Sequence, residues 1–491
     1  MIRIKQLDSV NIKIDCERGI AKELSSFFTF TVPNYKFTPA YRNKMWDGKI
    51  RLFNTASHTL YAGLLEYVFK FSEERGYKLE YDPLSSFFDP TVEDIESFIK
   101  DFKVYSGGKE INPHDHQKEA IKHALLNKRS LLISPTGSGK SLIIYMMMRY
   151  LLDRIPEDKK ILIVVPTTGL VSQMYNDFRD YSNRDKFVKN HCHQVYSGEE
   201  KNTNKRIVIT TWQSVYKLKE DYFNNFYCVF GDECHLFKAK SLTTLMSKLK
   251  NCPFRTGTTG TLDGTHVHKL VIEGLFGKVH NVTTTKSLID KNLLSNLKIK
   301  CLLLQYREDE INSIKRADYN QELEWLILNE RRNNFISNLA NSISGNVLVL
   351  FNFVEKHGIP LYEKIKAEKK KETYLICGKT DVEDREDIRK IVDNNTNSVL
   401  VASYGTCSTG INIKNINAII FASSSKSLVR VLQSIGRGLR KSDSKDKVTV
   451  FDLGDDLRHK KHRNHTLRHM DERINIYSNE KFVFDITSIR L

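Results

Sequence analysis

The sequence predicts an α/β protein with two successive lobes, each a parallel sheet covered on both faces by helices, preceded by a small α+β domain. Three observations carry this expectation. Short β-branched runs that are apolar at every position alternate with helical segments from Pro113 to about Gly277. The same texture returns from about Lys298 to Leu453. Runs of this kind, separated by helices, belong to parallel strands buried on both faces. Residues 1 to about 108 lack the texture, and Ser106-Gly107-Gly108 marks a linker out of them.

The elements follow in order. In the first domain, 1–108, a strand over Val10 to Ile14 leads to a helical stretch around Glu23 to Phe28 and a turn at Pro33-Asn34-Tyr35. The Asp47-Gly48 pair, flanked by strand-formers from Tyr41 to Leu52, predicts a β-hairpin. On its second strand Lys49 and Arg51 face one side and Ile50 and Leu52 the other. The first lobe, 109–280, takes its strands from Leu131-Leu132-Ile133, Ile161 to Val165, Ile207-Val208-Ile209 and Tyr227 to Phe230. A hinge is expected over 281–297. The second lobe, 298–457, has Val347 to Phe351, Thr373 to Ile376, Ser398 to Ala402, Ala418 to Phe421 and Val448 to Phe451. A basic C-terminal segment, 458–491, opens with Arg458 to His465, either an exposed helix end or a phosphate-contacting element. It closes with the strand-like Phe482 to Ile486. The lysine-rich stretch Lys364 to Lys371 reads as the solvated face or end of a helix.

Composition narrows the function classes. A hydrophobic fraction of 40% permits buried cores, and no apolar run reaches bilayer-spanning length. The N-terminus carries neither an h-region nor a signal cleavage site, so a cytoplasmic location is expected (host cytoplasm if phage-encoded). The eight cysteines are scattered singly, which predicts buried thiols without disulfides or a metal cluster. The net charge of +17 favours a polyanionic partner, although charge alone serves solubility equally well.

Three motifs carry chemistry. Ser134-Pro135-Thr136-Gly137-Ser138-Gly139-Lys140-Ser141 lies between a strand and the helical run Leu142 to Tyr150, the setting of a phosphate-binding loop. Glycines 137 and 139 let the backbone N–H groups of Thr136 to Gly139 curl around a phosphate. Lys140 reaches the β and γ phosphates, and the Ser141 hydroxyl can ligate Mg²⁺. Asp232-Glu233-Cys234-His235 follows another apolar strand; Asp232 can hold Mg²⁺ while Glu233 activates the attacking water. Gln433-Ser434-Ile435-Gly436-Arg437-Gly438-Leu439-Arg440 puts Arg437 and Arg440 on one helix face, where both can stabilise a transferring phosphoryl group.

Loop, DExH box and arginine helix, in this order and context, resemble superfamily two helicases. The resemblance implies two RecA-like lobes using ATP and Mg²⁺. It also implies an adenine-reading Gln117 and an ATP-coupling Gly410. Strand-gripping segments would include Thr167, Thr168, Thr211, Trp212, Gln213, Asn352, Ser403 and Tyr404. Coupling residues would be His235, Thr259, Thr261 and Gln433. Asn412 stands where many relatives carry an acidic residue. The N-terminal pattern Asn43-x-x-Trp46-Asp47-Gly48-x-Ile50-Arg51-Leu52, joined to this motor, is similar to phage helicases of the UvsW type. That similarity implies a monomeric 3′ to 5′ DNA helicase acting on R-loops, D-loops, Holliday junctions and stalled forks in replication, recombination and repair. Its substrates would be branched or single-stranded DNA and RNA–DNA hybrids. Arg42, Lys44, Lys49 and Arg51 would then hold duplex near a junction. Trp46 would either stack on an unpaired base or fill the core under the hairpin. An RNA helicase and a duplex translocase that leaves strands paired use the same motor, so both stay open at this point.

Overall fold

The computed structural model describes the 491-residue chain except residues 34, 197, 199, 239, 263–265, 407–412, 414, 426, 440–444 and 461. Side chains at 238, 266–268, 382, 428–430 and 437 also lie outside the description. Two compact units result: Met1–Ser134 with Gly139–Val282, and Thr283–Leu491 with Pro135–Ser138.

The first unit opens with a mixed sheet in the spatial order Thr59–Tyr61, Asn11–Cys16, Ile2–Gln6, Leu79–Asp82. Alternation in Ile2-Arg3-Ile4-Lys5 sends the isoleucines inward and the charges to water. Helices Arg18–Phe27 and Leu65–Glu74 cover the inner face through Leu24, Val68 and Phe71. The expected hairpin does not form. Lys49–Arg51 pairs antiparallel with Thr29–Thr31, and Pro39–Arg42 is a helical turn. Thr38 caps that turn through Tyr41 N–H, and Pro39 starts it with a preset φ, so the local chemistry overrides strand propensity. The Asp-Gly pair still turns the chain: the Asp47 carboxylate accepts from Lys49 N–H and from the Arg51 guanidinium. Lys49 and Arg51 are exposed and Ile50 is half-buried, as the alternation requires.

This domain is fixed to the first lobe. Tyr67 OH donates to Glu273 at 2.7 Å, Lys278 pairs with Glu66 at 2.8 Å, and Arg129 donates to the Ser9 carbonyl. Leu270 of the lobe is buried in the small domain's core cluster. At Gly63 a Cβ would lie 2.1 Å from the Glu273 carbonyl, so only glycine allows the approach.

The first-lobe sheet is parallel throughout. Its spatial order is Cys192–Val195, Ile207–Thr211, Lys160–Val165, Phe226–Asp232, Phe254–Thr259, Arg129–Ile133, Val279–Asn281. Buried clusters lie on both faces, which is why its strands are apolar at every position.

The second unit repeats the architecture with the order Glu372–Ile376, Ser398–Ser403, Val347–Phe351, Ala418–Phe421, Lys447–Asp456, Asn296–Gln305, Phe484–Arg490, again all parallel. The basic C-terminal segment therefore completes this sheet. After a bridge between His459 and His462 it forms the helix His465–Asn479, then the outermost strand beside Asn296–Gln305. Charged pairs are built into the core. Arg473 meets Asp452 at 2.7 Å, and Arg332 meets Asp455 at 2.8 Å, all four side chains at most 2% exposed. Tyr477 and Tyr306 add hydrogen bonds to the same carboxylates. Among the described residues every cysteine is free. No described helix is long and apolar enough to cross a membrane.

Candidate active site

In the first lobe the expected chemistry gathers at the carboxyl ends of the parallel strands, where an open α/β sheet leaves room for a ligand. The strand Arg129–Ile133 runs into the loop, and Ser134 N–H donates to the Thr259 carbonyl at 2.8 Å, pinning the loop to a neighbouring strand. Gly137 and Gly139 sit at φ +86° and +85°, a left-handed backbone that a side chain would strain. At Gly139 a Cβ would also lie 2.2 Å from Gln117 Nε2, so the buried Gln117 packs directly on the loop. Its Oε1 accepts from His114 N–H, closing the first turn of the helix Asp115–Asn127. Ser138 Oγ donates to the Pro135 carbonyl. The helix Lys140–Leu152 begins with its N-terminal N–H groups at the loop, a ready anion site.

Lys140 Nζ donates to the Ser134 carbonyl at 3.2 Å and stands 4.0 Å from Glu233 Oε1. Asp232 ends the strand Phe226–Asp232 and is 8% exposed. Burial pushes its carboxyl above the usual carboxylate range, and the adjacent Glu233 charge adds to the shift; Lys140 and the Thr258 hydroxyl, 2.8 Å away, oppose it. Glu233 adopts φ +49°, so the chain reverses hand between two neighbouring carboxylates. His235 Nδ1 lies 2.9 Å from Thr259 Oγ1 and 3.3 Å from Glu233, and Thr259 Oγ1 donates to the Thr261 carbonyl. The DExH box and the Thr259-Gly260-Thr261 segment are thus one bonded cluster. Ser141 Oγ shares a 2.8 Å hydrogen bond with Tyr181 OH. Ser141 and Asp232 offer oxygen donors only, which suits Mg²⁺, a hard cation that keeps several waters.

The expected strand contacts of this lobe line the same edge. Thr167 caps the helix Thr168–Tyr181 after the strand Lys160–Val165. Thr211 ends its strand, 4% exposed, with Oγ1 2.9 Å from Ser214 Oγ. Trp212 is half-buried against Tyr216, and Gln213 is exposed.

In the second unit, taken by itself, Asn352 follows the strand Val347–Phe351; its N–H donates to Ser423 Oγ and its Nδ2 to the Ser424 carbonyl. With Tyr319, Ser425, His465 and His469 it lines a polar cleft of about 540 Å³. Ser403 Oγ is 2.8 Å from Thr406 Oγ1. Tyr404 departs from expectation: it is 3% exposed and its OH donates to the Ser423 carbonyl. A buried phenol bonded inward supports the loop rather than gripping a strand. Gln433 is buried on the helix Leu428–Gly438, which also carries the backbone of Arg437. Gly410, Asn412 and Arg440 lie outside the described residues.

Trp46 is half-buried and its Nε1 donates to the Lys49 carbonyl at 2.8 Å, so it neither fills a core under a hairpin nor stands free. Arg42 and Lys44 are exposed. Sequence reasoning missed Tyr181, the partner of Ser141, because forty residues separate them and no local pattern joins them.

Phosphate loop, acidic pair and threonine relay on one sheet edge, followed by a second parallel α/β unit carrying the arginine helix, define a superfamily two helicase. Family models match in the same sense: the N-terminal domain of the DNA helicase UvsW over residues 1–82, the res subunit of type III restriction enzymes over 110–264, and the helicase conserved C-terminal domain over 330–442. The ATP-dependent DNA helicase uvsW of Enterobacteria phage T4 is 34% identical over the whole of both chains. The chain therefore belongs to the UvsW family of ATP-dependent DNA helicases. The DNA 3′-5′ translocase XPB2 of Sulfurisphaera tokodaii is 26% identical, covering 76% of this chain and 87% of that one. Among solved structures, T4 UvsW aligns over 100% of this chain and 99% of its own at 33% identity and a TM-score of 0.52. The type ISP restriction-modification enzyme LlaBIII bound to DNA, at 16% identity and a TM-score of 0.56, shares the fold over 88% of this chain and 36% of its own.

Proposed function

We propose that this helicase remodels branched DNA, driving R-loops, D-loops, Holliday junctions and stalled forks by 3′ to 5′ translocation, and that it works as a monomer in the cytoplasm. One observation carries the reading: the N-terminal domain, with exposed Lys49 and Arg51 on one strand, belongs to the same compact unit as the first motor lobe. Basic side chains held rigidly beside a motor report the shape of the nucleic acid ahead of it, whereas backbone contacts alone carry little sequence information. The name of the archaeal relative, a 3′-5′ translocase, supports the polarity.

In the chemical step Gln117 selects the base and the loop N–H groups of Thr136 to Gly139 cradle the phosphates, with Gly410 completing the nucleotide contacts. Lys140 neutralises charge on the β and γ oxygens. Ser141 and Asp232 would hold Mg²⁺, which would supply positive charge at the phosphates and offset the burial of the Asp232 carboxylate. Glu233 takes the proton of the attacking water, and Arg437 and Arg440 stabilise the transferring phosphoryl group. His235, Thr259, Thr261 and Gln433 pass the change to the strand contacts at Thr167, Thr168, Thr211, Trp212, Gln213, Asn352 and Ser403. Arg42, Lys44, Trp46, Lys49 and Arg51 hold the duplex at the junction, with RNA–DNA hybrid accepted as well as DNA.

Side-by-side stimulation of ATP hydrolysis by single-stranded DNA, forked DNA and unstructured RNA tests this. Forked DNA should stimulate most, and the Lys49→Gln, Arg51→Gln double variant should lose that preference. Equal stimulation by RNA and fork overturns the proposal.

A further inference from the structure

The tract beginning at Arg458 holds none of the ATP-site motif residues, yet the fold gives it a defined place. Three neighbouring strands of the second unit end together: Gln305 is in register with Asp456 on one side and Arg490 on the other. Arg490 and the residues two beyond the other strand ends, Arg307 and Arg458, bring three exposed guanidinium groups to one cleft of about 460 Å³. Its lining holds one side-chain carboxylate, Asp456, bonded to Arg458 at 2.5 Å, and Leu491, whose main-chain oxygen is engaged by Arg331. The nearby Glu310 carboxylate is engaged by Arg331 and by Arg307 N–H. Among the described residues the guanidinium groups of Arg307 and Arg490 have neither an ion pair nor a hydrogen bond. Two uncompensated planar forks and a third held in place by its aspartate form a site for phosphate oxygens.

Position indicates which phosphates. The cleft opens at the carboxyl ends of its strands, the same edge that carries Asn352 and Ser403. Two to four strand spacings separate Val347–Phe351 from the three strands that end at the cleft, about 10 to 19 Å across the sheet. That distance sets the cleft apart from the strand contacts at Asn352. We propose that Arg307, Arg458 and Arg490 form a second nucleic-acid site on the second lobe, which binds the backbone of a duplex arm while Asn352 and Ser403 hold the tracked strand. The proposal rests on the branched-DNA reading for the identity of that arm.

Salt-dependent binding of the full chain to a short single strand, a blunt duplex and a fork tests both ideas separately. For the wild type, a preference for fork over single strand supports the branched-DNA reading, and its absence overturns that reading alone. The Arg307→Gln, Arg490→Gln variant, with its unfolding midpoint measured as a fold control, should bind duplex and fork more weakly. Its plot of log affinity against log salt should flatten by about one unit per lost contact. The single strand should bind as before. An unchanged slope on both duplex and fork overturns the second site, and an equal loss on all three probes overturns its assignment to a duplex arm.

Discussion

The two lobes treat buried carboxylates in opposite ways. In the first, Asp232 is buried beside another carboxylate, supported by the Lys140 charge, a threonine hydroxyl and the Glu233 N–H but by no arginine, and its affinity for a proton rises accordingly. In the second, Asp452 and Asp455 are buried as deeply, but each receives an arginine and a tyrosine hydroxyl. Charge left under-compensated at a strand end suits a cation ligand; charge fully paired in a core is structural. The same contrast separates motif residues, whose partners lie on adjacent strands, from architectural ones.

The comparison breaks most sharply at the chemistry. Glu233→Gln and Lys140→Ala should each lower DNA-stimulated ATP hydrolysis by about three orders of magnitude in a steady-state assay. Either variant retaining near wild-type turnover removes the catalytic assignment. Next in size is the second-lobe core: Arg473→Met leaves Asp452 buried without its cation and should cost about 3–5 kcal/mol in urea unfolding of that lobe. A loss below about 1 kcal/mol would show that Tyr477 alone suffices.

Asp232→Asn sharpens the contrast in the other direction. A carboxyl whose folded affinity for protons exceeds its unfolded one binds more protons in the native state, so its stability contribution declines as pH rises from the unfolded value of about 3.8 through the raised folded value. At neutral pH, without Mg²⁺, the asparagine variant should therefore melt no lower than wild type, while hydrolysis is lost. A marked drop in melting temperature under those conditions contradicts an under-compensated Asp232. The smallest effect is expected at Tyr181→Phe, which frees the Ser141 hydroxyl from its partner. Half-saturating Mg²⁺ should fall by roughly threefold. Nucleotide binding with and without Mg²⁺, followed by a fluorescent ATP analogue, provides a readout independent of turnover.

Sequence legibility follows the same division. The phosphate loop, the acidic pair and the strands around them were readable because the groups that define them are neighbours in the chain or recur with a fixed period. The Asp47-Gly48 hairpin misled: turn chemistry was correctly read, but the partner of Lys49–Arg51 is Thr29–Thr31, and Thr38 with Pro39 diverts the expected first strand into a helical turn. Tyr404 misled because a motif position says nothing about which way a side chain points, and here it points into the core.

The sequence by itself determined that this chain has two parallel α/β lobes, a phosphate loop and a DExH box, because apolar periodicity and glycine placement are local properties of the backbone. Only the tertiary structure decided that the basic tail completes the second sheet, that Arg473 and Arg332 neutralise Asp452 and Asp455, and that Arg307, Arg458 and Arg490 converge on one cleft. Those pairings join residues 21 to 185 positions apart (490 minus 305 for the widest), and packing, which depends on the whole fold, sets which of them meet.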